Sequence, residues 1–275
     1  MADTSPVVLF DFDGVFCDST RECYSIALAA RALIDGTDDG TDYSHELVGE
    51  LEDGDALLEF FRSHRPYIRW PREYWLLLET FRTGGGAVTL TQRDFDDFEE
   101  AGDPVALAFQ QAFFDVRDDL RTNRYDAWID LFDAYSSVVE EGRVVMEHVP
   151  FRILTGRDGS SVGAFLAKHG LEVPGEWVFD AKQFRNKVEG FEAIRSEMGR
   201  DRLYAFLDDN VTHLAALLPL GVQCFWATWG YSSPDHENTA RELGSRIIRC
   251  GLDDWTDRLM QAIDPRREGV SGETR

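Results

Sequence analysis

Residues Val7 to Gly14 read Val-Val-Leu-Phe-Asp-Phe-Asp-Gly, four apolar residues that run directly into two carboxylates and a glycine. An apolar run of this length without alternation suits a strand covered on both faces, as in a parallel sheet. Asp11 and Asp13 then fall at the C-terminal edge of that sheet, where ligands bind in open α/β folds. Two acids packed there without a basic neighbour repel each other unless a cation neutralises them. This points to a metal-assisted site.

The grammar of the chain then changes twice. From Ser19 to about Ile34 the apolar spacing suggests a helix, with Asp18 or Ser19 as its N-cap. Helical periodicity recurs over Ser44 to Arg62, Arg72 to Arg82, Gln92 to Glu100, Val105 to Leu120 and Asp126 to Val139, with breaks at Gly36 to Gly40, Pro66, Pro71 and Gly84-Gly85-Gly86. Strand and helix alternate after that, with strands near Phe151, Trp177, Leu203, Gln223 and Arg246. The pattern predicts an α/β core from residues 1–18 and 147–264. An all-helical block, 19–146, interrupts it after the first strand. The polar tail 265–275 is expected to be disordered.

Composition limits the partners. With 275 residues and 43% hydrophobic content there is material for a sizeable core. A net charge of −23 argues against nucleic acid and anionic membrane surfaces as partners. No stretch approaches the roughly 20 apolar residues that span a bilayer, and the start MADTSP lacks the signature of a secretory signal, so the cytoplasm is the expected compartment. Cys17, Cys23, Cys224 and Cys250 form no CxxC pair and suggest no disulfide framework.

Three further patches share the character of the first. Phe151-Arg152-Ile153-Leu154-Thr155-Gly156-Arg157 is an apolar strand ending in Thr-Gly, and Leu203 to Asn210 is another ending in the pair Asp208-Asp209. Between them lie two of the three lysines in the chain, Lys182 and Lys187. Lys187 opens a helical pattern through Val188, Phe191, Ile194 and Met198 and is the better candidate. Taken singly, each patch has an ordinary explanation. Asn210 could cap a helix, Thr155-Gly156 could be a plain turn, and a lone lysine is usually solvated.

Taken in order, with Asp11 to Val15 as DxDGV, the patches resemble the four motifs of the haloacid dehalogenase-like hydrolase superfamily. The resemblance implies a Rossmann-like parallel-sheet core with an inserted helical cap of the C1 type, and a Mg²⁺-dependent phosphatase acting on a small phosphorylated metabolite through an aspartyl-phosphate. Asp11 would be the nucleophile and Asp13 the acid and base. Thr155, Gly156 and Lys187 would hold the phosphate. Asp11, Asp13 through its carbonyl, Asp208 and Asp209 would serve Mg²⁺. A phosphomutase uses the same motifs. Haloacid dehalogenation needs neither Asp13 nor Mg²⁺, and a non-catalytic interaction protein is the remaining alternative. Response-regulator receivers carry their acid pair first, which is the wrong order here.

Two segments are open to two readings. Arg62 to Arg72 is the one basic and aromatic island in an acidic chain. Its Arg65 and Arg69 could contact substrate and set specificity, or could pair with acids in a helix connection. Trp229-Gly230-Tyr231 reads as loop packing more readily than as a ligand platform. The oligomeric state is not encoded in any feature of the sequence.

Overall fold

The computed structural model describes residues 4–36 and 55–263. They divide into two units, with boundaries between Cys17 and Asp18 and between Asp133 and Ala134. In the first unit six strands form one parallel sheet: β1 (Val7–Phe10), β2 (Phe151–Leu154), β3 (Val178–Phe179), β4 (Tyr204–Asp208), β5 (Gln223–Ala227) and β6 (Ile247–Cys250). Their spatial order is β3-β2-β1-β4-β5-β6. Strand β1 is central, with Val8 opposite Phe151 and Val7 opposite Tyr204. Every residue of β1 is wholly buried, which is why the sequence shows no alternation there. The chain builds outward on one side of β1 through β2 and β3, then crosses to build the other side from β4. The switch point therefore lies between β1 and β4, where open α/β sheets bind ligands.

Helices Gly159–Lys168, Lys187–Met198, Val211–Leu217 and Pro234–Leu243 alternate with these strands. Phe191, Ile194, Leu214 and Leu217 join Leu9, Phe206 and Trp226 in one apolar cluster. Full burial of one such side chain contributes roughly 2 kcal/mol. Asn210 caps the helix that follows β4 by accepting from the Thr212 N–H at 2.9 Å, so the capping role open to it in the sequence is filled.

The second unit is helical, with Thr20–Asp35, Ala56–His64, Glu73–Gly84, Gln92–Ala101, Pro104–Asn123 and Tyr125–Ile129. Local chemistry sets the ends. Asp55 accepts from the Leu57 and Leu58 N–H groups, Thr91 and Asp94 form a capping box, and Pro104 follows the capping Asp103. At the first helix Ser19 occupies the N-cap position, its hydroxyl making no capping bond, and Asp18 instead accepts from the Thr20 N–H. The rings of Phe61, Tyr74 and Phe113 stack in the interior. Beside them the buried Glu22 accepts from Arg117 at 2.8 Å and from the Trp128 indole at 3.0 Å.

Two sequence expectations are corrected. The helix read over Asp126 to Val139 is two helices, Tyr125–Ile129 and Ser136–His148. The break arises because the intervening residues turn back to the core: Asp133–Ala134 pairs with Cys17–Asp18, and the Tyr135 N–H donates to the Phe16 carbonyl. The Ser136–His148 helix consequently belongs with the sheet, and the helical insert ends at Asp133 rather than at residue 146. Gly142 of that helix lies against the Phe16 ring, where a Cβ would come within 3.0 Å. The helix expected to start at Ser44 is described from Ala56 onward, and its earlier part lies outside the described residues, as does the 265–275 tail. No described helix is long and apolar enough to cross a membrane.

Candidate active site

Asp11 directly follows β1, and its N–H extends the β1–β4 pairing by donating to the Leu207 carbonyl at 2.9 Å. The Asp11 carboxylate, 6% exposed, accepts from the Phe12 N–H at 2.7 Å and pairs with Lys187 Nζ at 2.8 Å. Lys187 opens its helix behind the Asn186 cap and is itself buried. Its ammonium also donates to the Leu154 carbonyl at 2.5 Å and lies 3.5 Å from Asp208 Oδ2. One compact cation thus ties together the ends of β1, β2 and β4. Lys182, the other candidate, is exposed, and its N–H donates to Asp180.

Gly14, at φ +76°, turns the chain after the acids. Asp13 faces Arg157: Nε lies 3.0 and 3.1 Å from the two carboxylate oxygens, and a second guanidinium nitrogen is 2.9 Å from Oδ1. Arg157 is 2% exposed, lies 5.8 Å from the Phe12 ring centroid, and donates its backbone N–H to Thr155 Oγ1 at 3.1 Å. Asp13 thus has the basic neighbour that the sequence alone does not show, a correction to the expected pair of unpartnered acids. The only signal was an arginine closing the Thr155-Gly156 patch. Thr155 is buried at the end of β2, anchored through its N–H to the Phe179 carbonyl.

Asp208 closes β4. Its Oδ1 accepts from the Asn210 N–H at 2.7 Å and its Oδ2 lies 3.0 Å from His213 Nδ1. His213, on the first turn of the next helix, escaped notice in the sequence because an isolated histidine carries no pattern. Asp209 has partners of its own, with Oδ2 accepting from the Tyr231 N–H at 2.6 Å and its carbonyl accepting from the Trp226 indole at 2.9 Å.

The electrostatics follow from this packing. Burial pushes the Asp11 carboxyl up to about 6 against the pull of Lys187, and the charge of Asp208 adds to the rise. Burial opposes ionisation of Asp208 as well, but His213 and Lys187 outweigh it and bring the carboxyl down to about 2. Lys187 loses solvation, yet Asp11 and Asp208 hold it above the ordinary lysine range. Four carboxylates (Asp11, Asp13, Asp208, Asp209) stand here against one lysine, one arginine and the imidazole of His213. Asp11, Asp208 and His213 also bring ligand atoms within 4.8 Å of one another. A surplus of buried oxygen donors and negative charge fits a hard divalent cation such as Mg²⁺.

Arg65 and Arg69 lie in the second unit. The Arg69 guanidinium donates to Glu73 at 3.0 and 3.1 Å and to Asp96 at 2.7 Å, and Arg65 is buried. For Arg69, the reading as a helix connection accounts for its contacts.

No family model matches the chain, and no curated protein matches it by sequence. Solved structures do match its fold. A predicted phosphatase from Clostridium acetobutylicum superposes with a TM-score of 0.57 at 11% identity, covering 94% of this chain and 100% of that one. A haloacid dehalogenase-like family hydrolase from Streptococcus pneumoniae gives 0.54 at 10% identity, covering 95% and 99%. A β-phosphoglucomutase from Clostridium difficile gives 0.50 at 13% identity, covering 98% and 99%. On these superpositions the chain has the fold of the haloacid dehalogenase-like hydrolases.

Proposed function

We propose that the protein is a Mg²⁺-dependent phosphatase that hydrolyses a small phosphorylated metabolite through an aspartyl-phosphate on Asp11. The observation that carries this reading is the convergence of three strand ends on Asp11, with Lys187 Nζ at 2.8 Å and Asp208 and Asp209 at the adjoining end of β4. Asp11, the Asp13 carbonyl and Asp209, with Asp208 behind them, would hold the cation. When bound it supplies charge neutralisation that lets an anionic nucleophile meet an anionic ester.

The chain's own groups divide the remaining work. Lys187 keeps one Asp11 oxygen fixed and adds positive charge where phosphate oxygens gather. Thr155 and Gly156 offer a hydroxyl and an N–H at the same edge. An Asp11 oxygen forms a bond to phosphorus as the ester P–O bond breaks, and Asp13 gives a proton to the departing oxygen. Asp13 then takes a proton from water as that water attacks phosphorus, freeing Asp11 and releasing inorganic phosphate. Arg157 pairs with the ionised form of Asp13, the form that takes the proton from water in the second step. Dehalogenation would use neither Asp13 nor the Asp208-Asp209 pair. A cytoplasmic setting suits four buried free thiols.

The test is hydrolysis of an aryl phosphate by wild type and Asp11→Asn. Wild type is expected to turn over with Mg²⁺ and to stop with chelator, and the variant to fold and be inert. Turnover by folded Asp11→Asn, or by metal-stripped protein, would overturn the reading. A panel of phosphorylated metabolites identifies the substrate, and product analysis separates phosphate release from transfer within a sugar phosphate.

A further inference from the structure

Asp209 sits between two glycines from distant parts of the chain. A Cβ on Gly14 would lie 2.1 Å from Asp209 Oδ2 and 2.4 Å from its Cγ. A Cβ on Gly230 would lie 2.5 Å from Asp209 Cβ, 2.8 Å from Oδ2 and 2.3 Å from the Gly14 carbonyl oxygen. The carboxylate therefore fills the space that side chains at both positions would need. Tyr231 adds an N–H to Oδ2 at 2.6 Å, and the Trp229 indole donates to the Val15 carbonyl at 3.1 Å, fastening the loop to the turn after Asp13.

We propose that Trp229-Gly230-Tyr231 is a positioning element for the cation site, clasping Asp209 against the Gly14 turn so that its carboxylate cannot rotate. The proposal rests on the reading of Asp209 as a ligand of the divalent cation. A carboxylate locked before the ion arrives loses little freedom on binding it, and partners of this kind typically set metal affinity by about tenfold or more. Trp229 and Tyr231 act through Asp209 and the turn.

Mg²⁺ is titrated calorimetrically into metal-stripped, full-length wild type, Gly230→Ala and Trp229→Phe, with Gly163→Ala as control because a Cβ there meets open space. Wild type and Gly163→Ala are expected to bind alike. Gly230→Ala is expected to bind about tenfold more weakly, and Trp229→Phe more weakly than wild type. Excess Mg²⁺ should restore turnover in both weakened variants, which a general folding defect would not allow. If Gly230→Ala fails to fold, Trp229→Phe decides alone: it removes the indole donor without adding bulk, and its melting temperature reports what the smaller ring loses against Trp255. Wild-type affinity in the folded variants, equal weakening in Gly163→Ala, or lost turnover that Mg²⁺ does not restore overturns the clasp. Absence of Mg²⁺ binding to wild type removes the cation reading itself and the clasp with it, a result distinct from unaltered variants.

Discussion

Lys187 concentrates at one atom what the site requires of its surroundings. Its ammonium reaches the carboxylate that follows β1, a carbonyl of β2 and a carboxylate of β4, which suits a compact charge on a flexible stem better than a planar guanidinium. Lys187→Ala leaves Asp11 and Asp208 facing each other in a buried setting. Turnover is expected to fall by orders of magnitude, and stability without metal by about 3 kcal/mol, measured by denaturant titration. Lys182→Ala should alter neither quantity. Arg157 plays a comparable part for Asp13, with a forked pair that fixes the plane of the carboxylate. Neither the Arg157–Asp13 nor the His213–Asp208 partnership is periodic in sequence, so only the tertiary structure reveals them. The acids and Lys187 were legible because they stand at the ends of apolar runs or open a helical one.

At the scale of elements, the doubly covered strands were the easiest to read. Val7–Phe10 and Tyr204–Asp208 are apolar on both faces up to Phe10 and Leu207, and Phe151–Leu154 departs from this only at the buried Arg152, so hydrophobicity carries most of their extents. The stretch between Ile129 and Ser136 was not legible, because helical periodicity runs through a break that depends on pairing with Cys17–Asp18. The Arg62–Arg72 island shows the same limit. Its charge stood out in the sequence, but its partners Glu73, Asp96 and Glu99 did not. Glu73 is fully buried, which pushes its carboxyl upward against the pull of Arg69. Arg69→Ala strands that acid. The expected result is a lower melting temperature, with activity on an aryl phosphate and on larger phosphorylated metabolites reduced in equal proportion. A selective loss on the larger substrates would return Arg69 to a role in specificity.

For the molecule as a whole, pH acts through groups that burial has displaced. His236 is 1% exposed, and burial lowers its imidazole to about 4. The unfolded chain binds this proton near pH 6.5 and the folded chain does not, so the contribution of His236 to stability falls as pH drops through that interval. Asp11, raised to about 6, works in the opposite sense, gaining a proton in the folded state first. The difference between wild type and His236→Gln isolates the histidine. Relative to the variant, wild type should lose about 2 kcal/mol between pH 7 and pH 5, read from urea midpoints at each pH.

The central place of β1 also has a consequence for how the chain comes to be folded. Val8 finds its partner at Phe151 and Val7 at Tyr204, across the whole helical insert. On a ribosome, a strand of four apolar residues emerges long before either neighbour exists, whereas the insert draws on helices that close over short distances. The pairing that fixes Asp11 in register is thus among the last to form. A chain halted before residue 204 leaves one side of β1 bare, an edge of the kind that recruits other strands. The surroundings of Asp11 are completed only once the strand Tyr204–Asp208 has been made.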